Sequence, residues 1–340
     1  MRGGPGPGRA SDRAGGMAGL GTDAAARFRL AALPTPLMRA PRLAEVVGAG
    51  TLYVKRDDLT GFAFAANKAR PLEFLLAAAL AEGADTLVTG GAPGSNFCAA
   101  AAAAACRAGL RCELVLAGRP EAPGPALALA RSWGAAIRWT GVLERSSVDA
   151  GLPAAAAELA AGGRRPYLIP RGGATGVGAV GYALAAFELR EQLTGYSVDT
   201  ARVVVAVGSG GTLAGLVAGN VLMGRPLRLV GASVSRPPAE TAGRVLGLAR
   251  ECLALLSTGD DIRPGDVVVA DARGPGHGLA SPEGAAAAAQ AMRTEGLMVD
   301  PVYTAKALAL VSRHAAGGNV VFWHTGGQLD VVAMAAGAGQ

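Results

Sequence analysis

Two short segments of this 340-residue chain carry residues that could do chemistry. The first is Phe64-Ala65-Ala66-Asn67-Lys68-Ala69-Arg70, which follows the strand-like Leu52-Tyr53-Val54-Lys55. Lys68 stands among small residues at the start of a predicted helix. Partial desolvation there, together with the positive helix end, disfavours the ammonium form and moves the amine toward the nucleophilic range. An ordinary surface lysine is the plainer alternative, and the company the residue keeps decides between them. The second segment is Gly208-Ser209-Gly210-Gly211-Thr212, fed by the apolar run Val203–Val207 and followed by a predicted helix. Strand, glycine turn and helix N-terminus converge backbone N–H groups on one point, where the helix dipole favours a phosphate dianion. A tight turn alone requires fewer than three glycines and two hydroxyls. A Walker loop would need a lysine that is absent here. A dinucleotide fingerprint would need glycine where Leu213 stands, and an acidic residue where Gly231–Ser235 lies. A compact phosphate monoester fits the segment better than ATP or NAD.

Positioning these segments takes alternating strands and helices. Strands are predicted at Thr51–Lys55, Thr86–Thr89, Arg111–Leu116, Ile137–Trp139, Tyr167–Ile169, Arg202–Val207, Leu227–Ser233 and Val320–His324. Helices are predicted at Lys68–Glu82, Asn96–Ala108, Pro125–Trp133, Pro153–Ala161, Gly178–Leu193, Gly211–Met223, Glu240–Ser257, Pro282–Glu295 and Thr304–His314. Continuous apolar strands between helices imply an α/β fold with open, twisted parallel sheets covered on both faces. Residues 71–177 hold their own β-α units and read as a smaller domain inserted into a larger one, 25–70 plus 178–335, with a cleft between them. Residues 1–24, rich in Gly, Pro, Ala and Arg, read as a disordered tail.

Composition narrows the function classes. The +6 charge is spread as single arginines without interleaved aromatics, which argues against nucleic acid. The apolar run Phe97–Cys106 is too short to cross a bilayer, so no membrane partner is expected. Four cysteines without C-x-x-C spacing and three histidines make a metal site unpromising, and reduced thiols in the cytoplasm fit the chain best.

A reactive lysine, a phosphate cup on a separate β-α unit and a two-domain α/β fold point to a Schiff base with pyridoxal 5′-phosphate, which would act as electron sink. At this point the residues carry a family resemblance. LPTPL (33–37), YVKRDDLTG (53–61), NKARPLEFLLAAAL (67–80), GADTLVTGGAPGSN (83–96), IPRGGAT (169–175), GSGGTLAGL (208–216), EGLMVDPVYTAKAL (295–308) and HTGG (324–327) are similar to the aminocyclopropane-carboxylate deaminase and D-cysteine desulfhydrase family. These enzymes are pyridoxal-phosphate enzymes of the tryptophan-synthase-β-like fold, type II. The resemblance implies that Lys68 forms the imine and moves protons at the substrate Cα. It implies that Gly208, Ser209, Gly210, Gly211 and Thr212 hold the phosphate and that Asn96 bonds the 3′ oxygen. Ser95 and its neighbours then meet the substrate carboxylate, Tyr303 stands over the substrate as acid or base, and Thr304 faces the pyridine nitrogen. Ser95 also reads as a helix N-cap, and Tyr303 as a satisfied core tyrosine.

Four positions depart from the family pattern: Ala65-Ala66 for Gly-Gly, Pro71 for a lysine near the phosphate, Phe97 for a polar residue beside the substrate carboxylate, and His277 for a tyrosine. His277 reads either as a proton donor or as a loop histidine, and Cys98 as a buried small residue. The resemblance implies a lyase that abstracts the α proton of a small amino acid, eliminates its β substituent and releases ammonia and a 2-oxo acid. A β-replacement synthase and a non-catalytic cofactor binder are the rival readings. A homodimer is expected because family members self-associate.

Overall fold

The computed structural model describes residues 26–120, 123–256, 259–276, 278–315 and 317–337. The expected tail at 1–24 and His277 lie outside the described residues. Valine-rich runs make the central strands. β7 (Arg202–Val207) is buried at every residue but its first, because its neighbours cover both edges and helices cover both faces. The larger sheet has six strands. From edge to edge they are β1 (Leu37–Arg39), β2 (Thr51–Arg56), β10 (Asn319–His324), β7, β8 (Arg228–Ser233) and β9 (Val269–Asp271). Only the β1–β2 pair is antiparallel. The smaller sheet is wholly parallel: β5 (Ala136–Trp139), β4 (Arg111–Leu116), β3 (Thr86–Gly91) and β6 (Pro166–Leu168).

The helices, in chain order, are α1 (Pro41–Val47), α2 (Ala69–Ala81), α3 (Asn96–Arg107), α4 (Pro125–Ser132), α5 (Arg145–Ala161) and α6 (Gly176–Gly195). They continue with α7 (Gly211–Leu222), α8 (Pro238–Leu256), α9 (Pro282–Glu295), α10 (Thr304–His314) and α11 (Gln328–Gly337). Small residues let α6 and α7 approach backbone to backbone. A methyl group on Gly215 would lie 2.1 Å from the Ala179 carbonyl oxygen.

The register of the larger sheet sets Lys55 level with Trp323 and Val205. The C-terminal ends of β2, β7 and β10 therefore finish side by side, and from them leave the segments leading to Lys68, Gly208–Thr212 and Thr325–Gly327. In parallel α/β sheets this edge is where ligands bind. A buried polar cluster locks it beneath the surface. Arg70 grips Asp57 through two parallel bonds of 2.9 Å and reaches Glu188 at 2.9 and 3.0 Å. Asp57 also accepts from Thr35 (2.8 Å), the Tyr182 hydroxyl (2.6 Å) and the Trp323 indole (2.9 Å). Lys55 donates to Glu188, to Gln192 and to the Thr35 carbonyl. Two cations thus face two carboxylates.

Sequence reading and structure differ in four short elements and one boundary. β1, α1, β9 and α11 are not anticipated by the apolar patterning. α5 begins at Arg145, not Pro153, and carries that proline inside. The carbonyl that Pro153 leaves without its helical partner belongs to Asp149, an exposed position where solvent can take over. This shift brings Arg145 and Asp149 onto an ordered wall.

Burial alone would raise the Asp57 carboxyl, but the charge and hydrogen bonds of Arg70, the Lys55 charge and the Tyr182 hydroxyl together outweigh burial and hold it at about 2. Its contribution to stability is therefore complete above pH 4 and lost as pH falls toward 2. Asp57→Ala leaves Arg70 and Lys55 buried against one carboxylate, and should cost about 3–5 kcal/mol in denaturant unfolding at neutral pH.

Candidate active site

A cavity of about 780 Å³ opens at the C-terminal ends of both sheets, lined by residues that follow β3, β4, β7 and β10. Lys68 faces it from the N-cap position of α2, after a single turn of 3-10 helix at Ala66–Lys68. Burial pulls its amine down to about 8. The amine has no hydrogen-bond or ion-pair partner among the described residues. Two residues on, Arg70 is bound to Asp57, so the buried cluster fixes the chain that carries the lysine. Asn67 donates to the Thr212 hydroxyl at 3.3 Å and ties this turn to the glycine segment.

Gly208, Ser209, Gly210 and Thr212 line the same cavity, and Gly211 is the first residue of α7. Gly210 holds the N-cap position with φ +104°. No side chain caps this helix, so its first N–H groups are left to an anion. Outside the turn, Arg236 donates to the Gly208 carbonyl at 3.0 Å and Arg244 to the Ser209 carbonyl at 2.7 Å.

Ser95 caps α3, its Oγ accepting the Cys98 N–H at 3.3 Å. Asn96 lines the cavity but donates to Asp330 of α11 at 2.9 Å. Phe97 is buried and also forms part of the wall. Tyr303 lies on the wall next to Gly208, where an added methyl group would touch the phenol ring at 3.0 Å. Burial raises its phenol pKa, Asp300 adds to the rise, and Arg145 opposes it. Burial pushes the Cys98 thiol up to about 11, which leaves it inert.

Among the described residues, Gly211 and Thr304 are the sequence-predicted site residues that do not line the wall. Gly211 opens α7. Thr304 is fully buried, and its hydroxyl donates to the Asp300 carboxylate. Asp300 also accepts the backbone N–H groups of Val302, Tyr303 and Thr304, so it shapes the turn into α10. The wall carries Thr325, Asp300 and Asp330 instead. Sequence reasoning missed all three, although Asp300 and Thr325 lie inside the quoted DPVYT and HTGG segments. Arg145, Arg171, Arg236 and Arg244 were missed too; scattered arginines carry no spacing signal.

The pyridoxal-phosphate-dependent enzyme family model matches residues 28–326. The chain belongs to this family. The enzyme is 39% identical over 320 residues to D-cysteine desulfhydrase of Salmonella choleraesuis (strain SC-B67), covering 88% of this chain and 94% of the relative. The same figures hold for D-cysteine desulfhydrase of Salmonella enteritidis PT4 (strain P125109). Among solved structures, an ACC deaminase homologue superposes with a TM-score of 0.82 at 34% identity, over 91% of this chain and 95% of the other. Maize serine racemase, at 18% identity and a TM-score of 0.63 over 89% of this chain and 92% of the other, shares the fold. The enzyme is thus a pyridoxal-phosphate-dependent lyase of fold type II. The unpartnered Lys68 amine and the uncapped N-terminus of α7, on one cavity, suit that cofactor's aldehyde and phosphate. No helix among the described residues is long and apolar enough to cross a membrane.

The alanines before Asn67-Lys68 have a backbone consequence. Ala66 takes φ +48°, a left-handed conformation that glycine adopts at lower cost. Gly326, with φ +110°, packs against it, and a methyl group there would lie 2.2 Å from the Ala66 Cβ. Gly326→Ala should destabilise the enzyme by about 2–4 kcal/mol. Adding Ala66→Gly should recover about 1 kcal/mol or more in a thermal-unfolding double-mutant cycle. A second expectation concerns Lys68. Its folded pKa lies below the unfolded 10.5, so the unfolded chain binds more protons between about 8 and 10.5. This group therefore adds stability to the cofactor-free protein as pH rises through that window. Acylation of Lys68 in that protein, followed by mass spectrometry, should be half-maximal near pH 8.

Proposed function

We propose that the enzyme removes the α proton of a small amino acid and eliminates its β substituent, releasing ammonia and a 2-oxo acid. One observation carries the reading: an amine brought to about 8 by burial shares a cavity with an anion-receptive glycine turn. Bound pyridoxal phosphate supplies the aldehyde that captures the substrate amine and the electron sink that acidifies the Cα proton.

The chain's own residues do the rest. Gly208–Thr212 and the N-terminus of α7 hold the phosphate, with the turn's carbonyls bonded by Arg236 and Arg244. Lys68 Nζ, neutral in a large fraction of molecules at mildly alkaline pH, takes the Cα proton. The N-terminus of α3 at Ser95 and Asn96 receives the substrate carboxylate, an anion at the positive helix end. Tyr303, its phenol kept protonated by burial, stands beside Gly208 and is placed to hand a proton to the departing group. The Cβ bond electrons leave with the substituent, and hydrolysis of the freed enamine yields the 2-oxo acid and ammonia. D-Cysteine, named for the Salmonella relatives, is the reference substrate. The reading also carries a homodimer, which sedimentation of the purified protein checks, and a place in the cytoplasm, which cell fractionation checks.

Borohydride reduction and peptide mapping should find the cofactor on Lys68, and ammonia and 2-oxo acid should form in equal amounts. Lys68→Ala should lower the rate by at least about 10³-fold. A mapped adduct elsewhere, or none, overturns the assignment.

A further inference from the structure

Five of the cavity's side chains are cationic: Lys68, Arg145, Arg171, Arg236 and Arg244. Four of these have their work accounted for. Lys68 is the reactive amine. Arg236 and Arg244 brace the phosphate turn through the Gly208 and Ser209 carbonyls, and Arg236 is paired with Glu240 at 3.0 Å. Arg171 is held by Asp149 through two bonds of 2.6 and 2.7 Å. Arg145 is left over. It has no hydrogen-bond or salt-bridge partner among the described residues. The cavity's other carboxylates are occupied, Asp300 by the turn into α10 and Asp330 by Asn96.

The position of Arg145 is also costly. It is the first residue of α5, where the positive helix end repels a cation. Burial further disfavours its charge, and so do Arg236 and Arg171; the Tyr303 phenol, also on the cavity wall, lies within its electrostatic reach. An arginine kept where local electrostatics opposes it, unpaired and on the wall of an active-site cavity, marks a ligand contact.

Building on the elimination reaction above, we propose that Arg145, backed by Arg171, receives an anionic group on the substrate's side chain. The enzyme then selects amino acids whose β substituent is a strongly acidic leaving group, a sulfonate (leaving as sulfite) or a phosphate ester (leaving as phosphate), over thiol or apolar ones. The phosphate turn and α3 take the cofactor and the α-carboxylate. Arg145 stands near Tyr303, where a β substituent would lie.

The test uses the holoenzyme and two amine-free probes that cannot react, 3-sulfopropanoate and propanoate, with binding measured by calorimetry. The sulfonate should bind at least about 10-fold more tightly than propanoate. Arg145→Gln should abolish that ratio while cofactor content stays unchanged, and Arg145→Lys should keep part of it. In turnover, both enantiomers of cysteate and O-phosphoserine are compared with those of cysteine. The acidic substrates should show the lower KM, and R145Q should raise it about 10–100-fold for them alone. Equal binding of the two probes overturns the proposal. So does an R145Q protein that keeps the ratio, or one that loses cofactor without changing it, since Arg145 then serves the cofactor phosphate. Should R145Q not fold, Asp149→Asn decides. Freeing Arg171 should tighten sulfonate binding, and no change refutes the idea. The calorimetric ratio needs no turnover, so its failure is separate from failure of the elimination reaction.

Discussion

The bidentate contact between Arg70 and Asp57 is the constraint on which the rest of the architecture depends. It joins the end of β2 to the start of α2. Through Glu188, Tyr182 and Trp323 it also joins both to α6 and β10. An arginine and an aspartate out of water are costly unless each is fully bonded, and here every donor and acceptor that matters is used. That requirement admits one arrangement of four chain segments. Lys68 is two residues from Arg70, so the geometry that satisfies the charges also sets where the reactive amine lies.

Above this fixed layer the site is built by electrostatic contrast. The Lys68 amine is uncharged more readily than in water because it is buried and, among the described residues, no carboxylate pairs with it. The same cavity is rich in guanidinium groups and holds the uncapped N-terminus of α7, which favour anions. A neutral nucleophile beside an anion-receptive surface suits a cofactor that brings an aldehyde at one end and a phosphate at the other. Asp300 shows how such a site is kept rigid: its carboxylate gathers three backbone N–H groups and the Thr304 hydroxyl, and so sets the turn that presents Tyr303.

Much of the fold was legible in the residues. Runs such as Val203–Val207 and Val320–Trp323 are apolar throughout, as strands covered on both faces are, and the alanine- and leucine-rich stretches between them have helical spacing. The short elements were not legible. β1 and β9 have three residues each, and their existence depends on a neighbouring strand edge. Pro153 suggested a helix start, because chain-local rules place proline at the first turn; tertiary packing instead carries α5 back to Arg145. The family resemblance implied Thr304 at the pyridine nitrogen of the cofactor. On a helix, though, adjacent residues point in different directions, and the hydroxyl turns to Asp300.

By itself, then, the sequence determined which residue types are available for chemistry and in what order: one lysine on the approach to a helix, one glycine cup after a valine strand, and family segments around both. Those are local facts, set by backbone freedom, polarity and spacing along the chain. Only the tertiary structure decided that the lysine is unpaired and poorly hydrated, that Asn96 meets Asp330, and that one arginine among many faces the cavity without a partner. Burial and charge pairing depend on which distant segments share a wall, and distance along the chain carries no record of that.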